Sequence, residues 1–118
     1  MRASRAEIKI EEILEMNNMN FKMEYSFEGL NSPNGRPLRF DFAVFDDDGN
    51  LDFLIEYQGS QHYQPSAKFG GKKGLYQQQF NDNKKRRFCA LKGIRLVEIP
   101  YTEENLISYD YILEKAGY

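Results

Sequence analysis

Hydrophobic residues follow different spacings along the chain, and each spacing predicts an element of secondary structure. Apolar residues behind Ser4 recur at helical spacing, which predicts a first helix over residues 5–16. Ser4 followed by Glu7 has the capping-box pattern of a helix start. A segment of alternating polarity comes next and predicts a strand whose single buried face holds Phe21, Met23, Tyr25 and Phe27. A loop rich in turn formers, residues 31–37, follows this strand.

The segment LRFDFAVFDDDGNLDFLIEYQG contains two apolar runs joined by Asp48-Gly49, a dipeptide that favours a two-residue hairpin turn. Counting outward from that turn gives three facing pairs: Phe45 with Asp52, Ala43 with Leu54, and Asp41 with Glu56. The remaining apolar side chains fill both faces, as in central strands covered on each side, with Phe40, Phe42, Val44, Phe53 and Ile55 on one face and Ala43, Phe45 and Leu54 on the other. A longer turn over residues 46–50 is the alternative, and it would leave Glu56 exposed at a strand end.

The second half of the chain contains two further helices and a strand. Residues 61–74 include Pro65 and three glycines, which predict a mobile loop. A helix over residues 75–92 should end at Gly93, and a short strand over residues 94–99 is ended by Pro100. Thr102 then begins a last helix of about 12 residues. The predicted fold is a single α/β domain, residues 1–118, in the order α-β-β-β-α-β-α with one sheet.

Composition narrows the protein class. With 41% hydrophobic residues, a mean hydropathy of -0.70 and no apolar run near the roughly 20 residues of a membrane span, the sequence predicts no association with membranes. The N-terminal segment lacks the features of a signal or transit peptide, and the single Cys89 agrees with a reducing compartment, so a cytoplasmic location is expected. The net charge of -2 argues against binding nucleic acid by bulk charge alone.

The facing acids are the first chemical feature. Two carboxylates directly across a sheet repel each other, and burial increases the cost of keeping both ionised. Either one of them is protonated or a cation lies between them. Asp41, Glu56 and the backbone carbonyl of Tyr57 would form a small oxygen site suited to Mg²⁺. His62, beyond the end of the same strand, has the chemistry for proton transfer near neutral pH.

The second long helix has polar residues on its inner side. A helical projection places Asp82 and Lys85 beside Cys89 on one edge. An ordinary ion pair three residues apart explains Asp82 and Lys85 equally well. For Glu7, helix capping is the better explanation from the residues alone.

Five segments in order, SRAE, RFDF, EYQGSQHY, NDNKKRRFC and GIRLVEIPY, resemble the PD-(D/E)XK nuclease core. More narrowly, the chain resembles the catalytic domain of very-short-patch repair endonucleases and of phage-type homing endonucleases with an EDxHD set of site residues. The resemblance implies a restriction-endonuclease-like α-β-β-β-α-β core, a central mixed sheet flanked by helices, with an extra C-terminal helix. It implies an active-site quartet of Glu7, Asp41, His62 and Asp82. The chain departs from the wider superfamily at Gln58, where a lysine is usual, which makes Lys85 or His62 the better candidate for phosphate contact or proton transfer.

The resemblance implies a Mg²⁺-dependent endodeoxyribonuclease, with Mn²⁺ as a substitute, acting on double-stranded DNA in a bacterial or phage-infected cell. Candidate substrate contacts are Gln61, Lys72, Lys73 and Lys84. No feature reads a DNA sequence, so a separate sequence-reading domain is expected, and a homodimer is compatible with this role. Two alternatives stay open: a mismatch nickase using Phe69 and Tyr76 as wedges, and an inactive nucleic-acid or protein binding module.

Overall fold

Four strands form one mixed sheet in the computed structural model, which describes residues 4–118. The helices and strands, in chain order, are α1 (Arg5–Met16), β1 (Asn20–Asn31), β2 (Pro37–Phe45), β3 (Leu51–Gln58), α2 (Gly71–Lys92), β4 (Arg95–Pro100) and α3 (Tyr109–Lys115). The strands lie in the order β1-β2-β3-β4, the first three antiparallel and β3 and β4 parallel. The predicted α/β class, the element order and the bounds of α1 with its capping box are confirmed.

Helices cover both faces of the sheet. One core cluster lies between the sheet, α1 and α3, and its largest side chains are Ile10, Leu14, Phe42, Phe53, Ile55, Ile99 and Ile112. The other cluster lies between the sheet and α2 and is built from Leu30, Leu38, Phe40, Ala43, Leu54 and Cys89. Because both faces are covered, polar groups of the central strands are buried and need partners within the protein.

Strands β1 and β2 exchange faces halfway along their length. Phe21 and Met23 pack on the α1 side, whereas Tyr25 and Phe27 pack on the α2 side. Glu24, between them, has a φ of 53°, in the left-handed region that residues with a side chain rarely adopt. The predictions of one buried face for residues 21–27, and of a shared face for Phe40 and Phe42, are therefore wrong. The buried side chains change from one face of the sheet to the other at Glu24 in β1 and at Asp41 in β2.

The turn between β2 and β3 is longer than predicted. The N–H of Asp46 donates to the carbonyl of Asn50 at 2.8 Å, and Phe45 pairs with Leu51 in place of Asp52. A register shift after Val44 then restores the predicted pairing of Ala43 with Leu54. Glu56 is consequently buried despite the longer turn.

The segment after β3 is more ordered than its glycines suggested. It contains 3₁₀ turns at Ser60–His62 and Ala67–Phe69, and α2 begins at Gly71, four residues before the predicted start. Gly74 does not break the helix: a Cβ added there would overlap the carbonyl oxygen of Phe69, so glycine permits this close approach.

The C-terminal segment forms two short elements where one helix of about 12 residues was predicted. A 3₁₀ helix spans Tyr101–Leu106, and Ile107 then has an extended backbone. Ser108 caps α3 by accepting the N–H of Tyr111 at 3.1 Å. Among residues 4–118, no helix has the length and apolar character needed to cross a membrane.

Candidate active site

Asp41 and Glu56 face each other where β2 and β3 separate. The last ladder pair is Phe42 with Ile55, and beyond it the two side chains bridge the strands. The N–H of Asp41 donates to Glu56 Oε1 at 2.8 Å, and the N–H of Tyr57 donates to Asp41 Oδ2 at 2.7 Å. The two carboxylates thus satisfy backbone groups that the strands leave unpaired.

Lys85, on the inner side of α2, neutralises Glu56. Its Nζ donates to Glu56 Oε2 at 2.9 Å, and it lies 5.3 Å from the centre of the Phe40 ring. Both oxygens of Glu56 therefore have donors. Burial raises the pKa of Glu56 above its usual value, and the Lys85 ammonium opposes that rise. Hydrogen bonds thus link Lys85 of α2 to the carboxylate of Glu56 on β3, and that carboxylate to the backbone N–H of Asp41 on β2.

Asp41 has a different electrostatic environment from Glu56. Burial, followed by repulsion from Glu56, raises the pKa of Asp41 to about 8, although the N–H of Tyr57 acts in the opposite direction. The negative charge of Glu7 contributes further to this rise. A cation beside Asp41 would remove this repulsion, because it stabilises the ionised carboxylate.

Glu7, Glu24 and Asp41 form a cluster of three carboxylates. One potential ligand oxygen from each lies within 4.8 Å of the other two. Glu7 is held by the capping box, in which its Oε1 accepts from the Ser4 hydroxyl at 2.9 Å. Glu24 is exposed and reaches the cluster from β1, at the residue whose backbone is left-handed. Sequence reasoning missed Glu24, since nothing in the residue order marks a left-handed glutamate.

His62 and Asp82 form the second buried pair of the site. His62 Nδ1 lies 2.8 Å from Asp82 Oδ2, and the side chains are 9% and 5% exposed. Gln78 donates to the other oxygen of Asp82 at 3.2 Å. Burial acts to raise the pKa of Asp82, but the hydrogen bond and charge of His62 lower it below the usual value. A cavity of ≈ 220 Å³ opens beside this pair and is lined further by Arg86.

Gln58 has a structural explanation. Its amide nitrogen donates to Glu98 on β4, and its amide oxygen accepts from the Tyr63 hydroxyl at 2.6 Å. Arg86 in turn binds Glu98 through two nitrogens, at 2.8 and 2.7 Å. A buried residue at position 58 must donate on one side and accept on the other, which an amide does and neither an ionised carboxylate nor a lysine ammonium can.

The predicted site residues divide into two groups. The first group forms a continuous series in which neighbouring members shift the pKa values of Asp41, Glu56 and Asp82; its members are Glu7, Asp41, Glu56, Lys85, Asp82 and His62. The backbone carbonyl of Tyr57 stays a predicted metal ligand, whereas its N–H donates to Asp41 and its hydroxyl donates to Glu104 at 2.9 Å.

The candidate substrate contacts lie apart from the acids. Lys84 donates to the carbonyl of Asn31 at the end of β1. Lys72 and Lys73 are exposed in the first turn of α2 and form no ion pair within residues 4–118. Gln61 is half-buried in the 3₁₀ turn that precedes the imidazole of His62.

The chain is similar to uncharacterized viral proteins. Uncharacterized protein 094L of Frog virus 3 is 38% identical over 82 residues, or 68% of this chain and 50% of the viral protein. Uncharacterized protein 307L of Invertebrate iridescent virus 6 is 38% identical over 66 residues, 54% of this chain and 34% of the viral protein. The matched part of this chain thus spans half or less of these relatives. No family model matches the chain, and no solved structure matches it.

Proposed function

We propose that this chain is a metal-dependent endonuclease domain that hydrolyses phosphodiester bonds of double-stranded DNA, as the catalytic module of a homing-type endonuclease. The observation that supports it most is the arrangement at the separated ends of β2 and β3. There, the N–H of Asp41 donates to the carboxylate of Glu56 and the N–H of Tyr57 donates to the carboxylate of Asp41, so that two acids are held at one point of the sheet. The order of the five sequence segments adds to this support.

The donor set around Asp41 fits Mg²⁺ or Mn²⁺. Hard divalent cations prefer carboxylate oxygens, and Asp41, Glu7 and Glu24 offer three of them within 4.8 Å of one another. Glu56 fits less well as a ligand, because both of its oxygens already accept hydrogen bonds. We therefore assign metal binding to Asp41 with Glu7 and Glu24, and the positioning of Asp41 to Glu56. A bound divalent ion would polarise the scissile phosphate and stabilise charge on the leaving oxygen.

The protein's own groups would handle the protons and the phosphate charge. Since His62 Nδ1 is held by Asp82, Nε2 is the ring nitrogen left to exchange a proton with water or with the leaving oxygen. Asp82 fixes the ring and would balance the positive charge that the ring gains when it accepts a proton. Lys85 supplies a buried ammonium next to the acids, where an approaching phosphate would meet it in a medium of low polarity.

The test is cleavage of supercoiled plasmid by the purified chain with Mg²⁺ or Mn²⁺, compared with the Asp41→Asn variant. Metal-dependent cleavage that Asp41→Asn abolishes would support the proposal. Absence of cleavage on several plasmids and oligonucleotide duplexes, or full activity in Asp41→Asn, would contradict it. Cutting of one strand at a mismatch would identify the nickase alternative. Cytoplasmic activity, a separate sequence-reading domain and a homodimer remain parts of the proposal.

An inactive binding module is the second candidate, and it is favoured by the donors that already occupy both oxygens of Glu56. A carboxylate satisfied by an ammonium and a backbone N–H needs no metal. Calorimetry with Mn²⁺ separates the two candidates, because the inactive module should give no heat that depends on Asp41.

A further inference from the structure

A second sizeable cavity lies outside the acid site. It measures ≈ 570 Å³ and opens between the β1–β2 turn and α2. Its lining includes Pro37 and Leu38 of β2 and, from α2, Tyr76 and Phe80, whose surfaces are 65% and 52% exposed. Two aromatic rings one helical turn apart, left open to solvent, are costly for folding and useful for binding a flat apolar group.

The polar groups of this cavity specify more than an apolar ligand. Arg36 lines it, and no acidic residue does. Lys73 and Lys84 flank Phe80 on the same side of α2, since residues seven and four positions away lie on one stripe of a helix. In a chain with a net charge of -2, this local excess of positive charge favours an anionic ligand.

Asn81, which also lines the cavity, adds a hydrogen-bonding requirement. Its Oδ1 is buried and has no hydrogen-bond partner among residues 4–118. A buried acceptor without a donor is unfavourable, so a rotation of the Asn81 side chain that turns this oxygen towards an N–H group of a bound ligand is favoured. Aromatic faces, basic flanks and a free acceptor together match a nucleobase attached to a phosphate backbone.

We propose that this cavity is a stacking subsite for an unpaired nucleobase of the nucleic acid that the chain binds. Tyr76 and Phe80 stack on the base, Asn81 accepts from its N–H edge, and Arg36 contacts the adjoining phosphate. The subsite rests on the proposed function for its substrate class. Asn81 and Asp82 are adjacent on α2, and His62, which contacts Asp82, lies on the other side of that helix. Because a helix is about 10 Å wide, one nucleic-acid strand can reach both the cavity and His62.

The experiment measures binding without cleavage. A labelled oligothymidylate of roughly 12 nucleotides and an abasic oligomer of equal length and charge are titrated with the chain in EDTA, by fluorescence anisotropy. We expect the oligothymidylate to bind roughly 5- to 100-fold more tightly. Equal affinities would overturn the proposal, and this comparison needs no variant to fold.

Variants locate the effect. Phe80→Ala and Tyr76→Ala should reduce affinity for the oligothymidylate towards that for the abasic oligomer, and Leu91→Ala, an exposed apolar residue on the same helix, should not. Phe80→Leu keeps apolar volume but removes the ring face, so it should behave like Phe80→Ala. Unchanged binding by Phe80→Leu would overturn base stacking and indicate an apolar side chain of a protein partner. Repeating the titration with Asp41→Asn shows that base binding is independent of the acid site. Base-dependent binding in EDTA, together with no cleavage by the wild type in Mg²⁺ or Mn²⁺, would retain the subsite and reject the nuclease.

Discussion

The backbone N–H of Asp41 donates to the carboxylate of Glu56 at 2.8 Å, while the carboxylate of Asp41 accepts the N–H of Tyr57, the residue after Glu56, at 2.7 Å. This exchange holds two acids together at a point where the strands themselves no longer pair. Only Glu56 is compensated by an internal cation, Lys85. Ionisation of Asp41 is therefore disfavoured, and it links the stability of the fold to pH and to metal binding.

The first prediction concerns pH and stability without metal. The pKa of Asp41 is about 8 in the folded protein, against 3.8 ordinarily, so folding takes up a proton between these values. An acid whose pKa is raised on folding makes stability fall as pH increases, here from about pH 4 to about pH 8. Asp41→Asn should remove up to about 1.4 kcal/mol per pH unit of that decline. Urea denaturation in EDTA across this range checks it, with Asp47→Asn in the exposed turn as control; parallel curves for wild type and Asp41→Asn would contradict the raised pKa.

The second prediction concerns the metal. Mn²⁺ should raise the melting temperature at pH 8 more than at pH 6, because protons compete with the ion for Asp41. A ligand at about 100 times its Kd adds about 2.7 kcal/mol to stability. Glu24→Gln should weaken metal binding at least tenfold, whereas Glu28→Gln, also exposed on β1, should not.

The thermal shift assay also separates two possible ligand sets. If Glu24→Gln retains the full shift and Glu56→Gln loses it, the metal lies between Asp41 and Glu56, as the sequence alone predicted.

Sequence reasoning succeeded where a local pattern determines the local structure. The capping box defines the start of α1, and helical spacing correctly placed Asp82, Lys85 and Cys89 on the buried side of α2. The sequence predicted that Asp41 faces Glu56 even though the predicted turn was too short. The register shift near Phe45 compensates for the longer loop.

The failures came from features that sequence patterns do not encode. A left-handed glutamate reverses the faces of β1, so strict alternation misplaced Tyr25 and Phe27 and concealed Glu24. Helix α3 begins separately because Ile107 has an extended backbone and Ser108 then caps the helix. The single continuous helix that was predicted therefore does not form. Gln58 hydrogen-bonds to Tyr63 and Glu98, and because Glu98 is distant in the sequence, the residue order alone does not reveal the role of Gln58.

The third prediction tests the buried ion pair. Lys85→Met leaves Glu56 buried without a cation, and such a loss costs about 3–5 kcal/mol. Combining Lys85→Met with Glu56→Gln should recover most of that stability, since no unpaired charge remains. Urea denaturation at pH 7 measures both, with Lys72→Met as the exposed control on the same helix. A double variant as unstable as Lys85→Met would show that packing of the lysine stem, and not its charge, stabilises the fold.

The fourth prediction assumes the proposed nuclease. His62→Ala should slow single-turnover cleavage roughly 10²- to 10⁴-fold, the usual contribution of a proton-transfer residue. Asp82→Asn should slow it less, because the ring remains but loses its fixed orientation. Affinity for DNA, measured in EDTA, should be unchanged in both, and Asp47→Asn should cleave normally. Weaker binding with an unchanged cleavage rate would assign His62 to substrate contact.

The fifth prediction concerns Gln58. In Gln58→Glu a second carboxylate faces Glu98, and the new acid cannot donate to it when ionised. We expect a loss of about 1–3 kcal/mol at pH 7 and a smaller loss at pH 5, because protonation of the new acid restores a donor. Adding Glu98→Gln should relieve the repulsion at pH 7, and Gln64→Glu, an exposed change in the same segment, should have little effect. An equal loss at both pH values would mean that Gln58 acts through its shape, because a charge effect must weaken as the acid is protonated.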